Sequence, residues 1–108
     1  MHLPEVKLKL DHAQMACIGK QLDLLLNELL EFGKRKSERV YLSILMDVER
    51  KFRIEKFARP KKHYTKRLKY HEAEALFLFL HNVIDIQQDV YSRTCMMQVL
   101  HLIDKQIF

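Results

Sequence analysis

The chain has 108 residues, 48% of them hydrophobic, with only two glycines and two prolines; that length supports one hydrophobic core, and the scarcity of turn formers excludes a turn-rich β-sandwich and favours a mainly α fold. Its net charge of +5 and pI near 9.3 leave room for an acidic partner. No window approaches eighteen consecutive apolar residues, and the opening MHLPEVKLKLD lacks an apolar run behind a basic start, so neither a membrane span nor a secretory signal is expected and the protein is taken as cytoplasmic, with no membrane partner.

Residues 5–10 alternate apolar and charged side chains, with Val6, Leu8 and Leu10 on one side and Lys7 and Lys9 on the other. That is the period of a half-buried strand. A helix is predicted over 11–32, where Met15, Ile18, Leu22, Leu25, Leu29 and Phe32 recur at spacings of three and four, starting at Asp11 and stopping at Gly33. Ser37 then begins a second helix over 37–58 carrying Val40, Tyr41, Ile44, Leu45, Val48 and Phe52, and Pro60 ends it. At roughly 22 residues and 33 Å each, the two would form an antiparallel hairpin.

A second short strand is predicted over 66–70, with Leu68 and Tyr70 inward, followed by a third helix over 71–87 and a fourth over 89–107 capped by Asp89. The break between Asp85 and Asp89 contains neither Gly nor Pro, so one continuous helix is the alternative. KLKLDHAQM at Lys7 and RLKYHEAEA at Arg67 share one rhythm, a strand running into a helix start, with Gln14 three residues after Asp11 and Glu74 three after His71. The expected architecture is therefore a single domain over 1–108: a four-helix bundle of two helical hairpins, each preceded by a short strand, the two strands pairing as a ribbon.

Chemistry-bearing residues are sparse. The six histidines (His2, His12, His63, His71, His81 and His101) include no pair four apart and none three residues after a glutamate, so no metal and no cofactor is expected. Cys17 and Cys95 fall on apolar helical stripes without CxxC spacing and are read as protonated core thiols of a reducing compartment. No nucleophile, acid–base pair or phosphate-cradling glycine loop emerges, and the expectation is a protein that is not an enzyme.

Charge is distributed unevenly. Residues 1–33 carry a net −2 and residues 70–108 a net −3, whereas 51–69 carry +8, with aromatics interleaved. Cations mixed with aromatic rings suit phosphate contact and base stacking. Lys7, Lys9, Arg59, Lys61, Lys62, Lys66, Arg67 and Lys69 are accordingly the candidate polyanion-binding residues. Lysines on strand edges and basic residues at helix ends also occur for purely structural reasons, and neither an aromatic RNP pattern, a GXXG loop nor a helix-turn-helix is present. The run from Ala75 to Leu80 is apolar at every position, which makes Leu78 and Phe79 candidates for a homodimer interface. Two function classes follow: a nucleic-acid or polyanion binder, and a homo-oligomeric interaction or adaptor module with no nucleic-acid role.

Overall fold

The structure, a computed structural model, describes residues 5–32, 36–52, 63–85 and 88–107, with the side chains of 25–32 and 36–39 outside the description. The element order is β1 (Val6–Leu10), α1 (His12–Phe32), α2 (Lys36–Phe52), β2 (Tyr64–Leu68), α3 (Tyr70–Ile84) and α4 (Val90–Ile107). The protein is mainly helical, with one two-stranded antiparallel sheet. Each helix packs on two others, α1 on α2 and α4, and α3 on α2 and α4, while β1 lies against α4 and β2 against α2 and α3.

The second strand sits two residues earlier than the sequence rhythm predicts. Tyr70 is the first residue of α3 rather than an inward strand residue, and the inner positions of β2 are Tyr64, Lys66 and Leu68. The cause is the helix start. Glu72, not Glu74, turns back to accept the Lys69 N–H at 2.8 Å, so the helix begins as soon as a carboxylate can satisfy an orphan amide. In the first copy the reciprocal arrangement is complete: Gln14 N–H donates to Asp11 Oδ1 at 2.7 Å and Asp11 N–H to Gln14 Oε1 at 3.0 Å. Lys69 has no acceptor to offer, so the second copy keeps one arm of that pair.

The other boundaries follow local chemistry. Asp85 adopts αR geometry at the end of α3, and Asp89 starts a separate α4, its Oδ2 accepting from Ser92 N–H at 3.1 Å and Ser92 O–H at 2.7 Å. The Ser92 bonds hold the Asp89 carboxyl below the usual carboxylate range. The portion of the expected second helix over 53–58 lies outside the described residues.

The core joins both strands to all four helices. Val6, Leu8, Leu10 and Leu68 of the ribbon pack with Met15, Ile18 and Leu22 of α1, Leu42, Leu45, Val48 and Phe52 of α2, Leu76 and Leu80 of α3, and Met96, Val99 and Ile103 of α4. A row of inward residues on a two-stranded ribbon cannot hold by itself; the helices beneath make it stable. At Gly19 the first two helices approach so closely that a Cβ would lie 3.1 Å from the Phe52 carbonyl oxygen, a distance that glycine avoids by having no side chain. Tyr41 ties α2 to α3 by donating to the Ala75 carbonyl at 3.3 Å, and burial pushes its hydroxyl up to about 12. Among the described residues no helix is long and apolar enough to cross a membrane.

Candidate functional site

The ribbon pairs Val6 with Leu68, Lys7 with Arg67, Leu8 with Lys66, Lys9 with Thr65 and Leu10 with Tyr64. Its outer face therefore presents Lys7, Lys9, Thr65 and Arg67, all exposed, while Val6, Leu8, Leu10 and Leu68 are buried on the inner face. Period-two alternation in both strands produces this separation.

Antiparallel partners alternate between pairs that exchange backbone bonds and pairs whose N–H and C=O point away from each other. Lys7 and Arg67 are of the second kind. Lys7 N–H donates to Gln106 Oε1 at 3.0 Å and Lys7 C=O accepts from Gln106 Nε2 at 2.7 Å, so the Gln106 amide of α4 binds the free edge of β1 as a third strand would. On the far edge, Arg67 C=O accepts from Lys51 Nζ of α2 at 3.2 Å. Both edges are thus tied to helices at the same cross-strand pair, which blunts them against pairing with another chain.

Pairs of this kind bring their Cα atoms to about 4.5 Å and their side chains closer than in bonded pairs. Two cations are therefore held side by side at the second of the ribbon's five pairs. The ion pairs formed among the described residues are Arg50 with Asp47 and Lys51 with Glu72, and neither involves Lys7, Lys9, Arg67 or Lys69. Like charges directly opposed across strands are destabilising, by an amount similar to the roughly 0.2–1 kcal/mol that a favourable pair contributes.

The remaining sequence candidates divide. Lys69 is exposed at the N-terminal boundary of α3, next to the ribbon. Lys66 is half-buried on the inner row opposite Leu8, a position that a long aliphatic stem with a solvated head suits; it does not share the face of Lys7 and Arg67. Arg59, Lys61 and Lys62 lie outside the described residues. Of the two apolar candidates, Leu78 is 52% exposed and Phe79 is 3% exposed. Phe79 is occupied by the chain's own core, because α3 is wrapped on the sides that face α2, α4 and β2.

Three arrangements escaped the sequence reading. The first is the buried carboxylate of Glu72, which receives Lys51 Nζ at 2.7 Å in addition to the Lys69 N–H. Burial alone would raise its pKa, but the bonds from Lys51 and Lys69 and the Lys51 charge outweigh it and hold the carboxyl below the usual range. The second is a cleft of about 520 Å³ between α1 and α2, lined by Met15, Gly19, Phe52 and the buried carboxylate of Glu49, with Lys20 and Asp23 exposed at its edge. The third is the meeting of the two cysteines between α1 and α4. None of these could be found by spacing, since each joins residues from different elements. Among the described residues no group of three or more His, Cys, Asp or Glu is placed to hold a metal ion.

No family model, curated protein or solved structure matches the chain.

Proposed function

We propose that the protein is a small non-enzymatic binding protein whose exposed ribbon face holds nucleic acid, or another polyanion, through phosphate contacts. In this reading α1–α2 and α3–α4 form a four-helix bundle that serves as the platform, and no cofactor or metal takes part. The observation that carries it is the opposed pair Lys7 and Arg67, with Lys9 and Lys69 beside it and no carboxylate partner among the described residues. A phosphate placed over that pair relieves the repulsion that the strand register imposes. The sequence adds Arg59, Lys61 and Lys62 to the same basic stretch.

Titration of labelled duplex and single-stranded oligonucleotides at several salt concentrations tests this. Neutralising four phosphates gives a slope of log K against log salt of about −3 to −4 on duplex, and Lys7→Gln with Arg67→Gln should reduce its steepness by about 2. Absence of binding at low salt, or binding insensitive to salt, overturns the proposal.

A second reading, self-association without nucleic acid, is favoured by the half-exposed Leu78 within the apolar run of α3. It predicts a dimer by light scattering that Leu78→Glu converts to monomer; a wild-type monomer at high concentration removes it.

A further inference from the structure

Between α1 and α4 the chain brings its two cysteines together across 78 residues of sequence. The Gln14 side-chain amide donates to Gln98 Oε1 at 2.9 Å, which sets the register of the two helices. Moving three residues forward on α1 and three back on α4 places Cys17 opposite Cys95, since residues three apart lie on one helix face. Cys17 Sγ donates to the Ser92 carbonyl at 3.6 Å, one turn before Cys95 on the same helix, and the two thiols lie close enough for each to act on the other electrostatically. Both sulfurs are free thiols, and the residues are 9% and 5% exposed.

We propose that Cys17 and Cys95 form a dithiol site that hydrogen peroxide closes to a disulfide, covalently joining α1 to α4. One thiolate attacks a peroxide oxygen and breaks the O–O bond, giving a sulfenic acid and, after proton transfer, water. The second sulfur then attacks the sulfenic sulfur; the S–S bond forms, the S–O bond breaks, and a second water leaves. Two thiols lose two electrons in total, and one peroxide takes them. The narrow exposure selects the oxidant. A small uncharged peroxide reaches these sulfurs where a glutathione-sized disulfide does not. Burial holds the Cys17 thiol above its usual range, so the first step is slow and the neighbouring thiol, already in place, captures the sulfenic acid before further oxidation.

The bond would fix α4, whose Gln106 holds the edge of β1, to the helix that follows β1. The test treats the full chain with hydrogen peroxide, then measures intact mass, free thiols and tryptic peptides. The expected product is a monomer about 2 Da lighter with both thiols lost together and a peptide joining Cys17 to Cys95, melting roughly 10 °C or more above the reduced form. In Cys95→Ala the same treatment should add oxygen to Cys17 and give no loss of mass. Oxygen adducts on one cysteine with the other free, disulfide-linked dimers, or no reaction in folded wild type would each overturn the proposal. So would equal cross-linking in urea, because the proposal attributes the encounter to helix packing.

Discussion

Leu8→Ala is expected to lower the free energy of unfolding by about 2–5 kcal/mol, whereas Lys9→Ala next to it should change it by less than about 0.5 kcal/mol. Leu8 is completely buried in the middle of β1, and Lys9 is exposed on the opposite face. Truncating Leu8 leaves a cavity beneath the ribbon that the rigid Gln106 and Lys51 ties prevent from closing, since both strand edges are held at the adjacent pair. A domain of this size has a total stability of about 5–15 kcal/mol, so the loss is a large fraction. Urea denaturation midpoints of the two variants report the contrast directly. Equal, small effects would mean that the ribbon is not packed on the helices.

Lys51→Met should cost about 1–3 kcal/mol near neutral pH. The range sits below that for a fully buried pair because the Lys51 side chain is 36% exposed and water screens it, while that of Glu72 is 5% exposed. The loss comes mainly from leaving the Glu72 carboxylate with the Lys69 N–H as its remaining strong donor. The pH dependence has a definite sign. In the wild type the folded Glu72 carboxyl lies below its ordinary value, so its contribution to stability is fully present above about pH 4.3, the unfolded value, and is lost as pH falls through the lower folded value. In the variant, burial is less opposed and the carboxyl moves upward, so protonation relieves the folded state. The wild-type advantage should therefore shrink as pH falls below about 5. Denaturation midpoints measured across that range check it; a difference independent of pH would show that Lys51 acts through its stem alone.

Periodicity carried much of the architecture. The spacing of Met15, Ile18 and Leu22, and the alternation of Val6, Leu8 and Leu10, point to the core as the structure has it, because burial of one face imposes a period that the chain must obey. The second strand was less legible. YTKRL has an inner lysine at Lys66, and apolarity alone cannot identify an inner position that a basic stem rather than a leucine occupies. The two-residue displacement of β2 follows from Glu72, whose role depends on Lys51 from a distant helix. Strand alternation already points Lys7, Lys9 and Arg67 outward on one cationic face, but it does not say which of them stand directly opposite each other. That Lys7 faces Arg67 as a closely spaced pair follows from strand register and from the Gln106 and Lys51 ties, which join residues as much as 99 positions apart. Leu78 and Phe79 are adjacent in sequence, yet one faces outward and the other inward, a division set by which sides of α3 its neighbours cover.

In the proposed function the ribbon holds Lys7 and Arg67 in mutual repulsion that a bound polyanion relieves. Thermal unfolding of the wild type and Arg67→Thr, at low and moderate salt and with or without a short oligonucleotide, tests it most directly. At low salt Arg67→Thr should match or exceed the wild type by up to about 1 kcal/mol, added salt should stabilise the wild type more than the variant, and the oligonucleotide should raise the wild-type midpoint while moving that of Arg67→Thr far less. A wild type unmoved by oligonucleotide at low salt, with Arg67→Thr the less stable protein there, would contradict that reading.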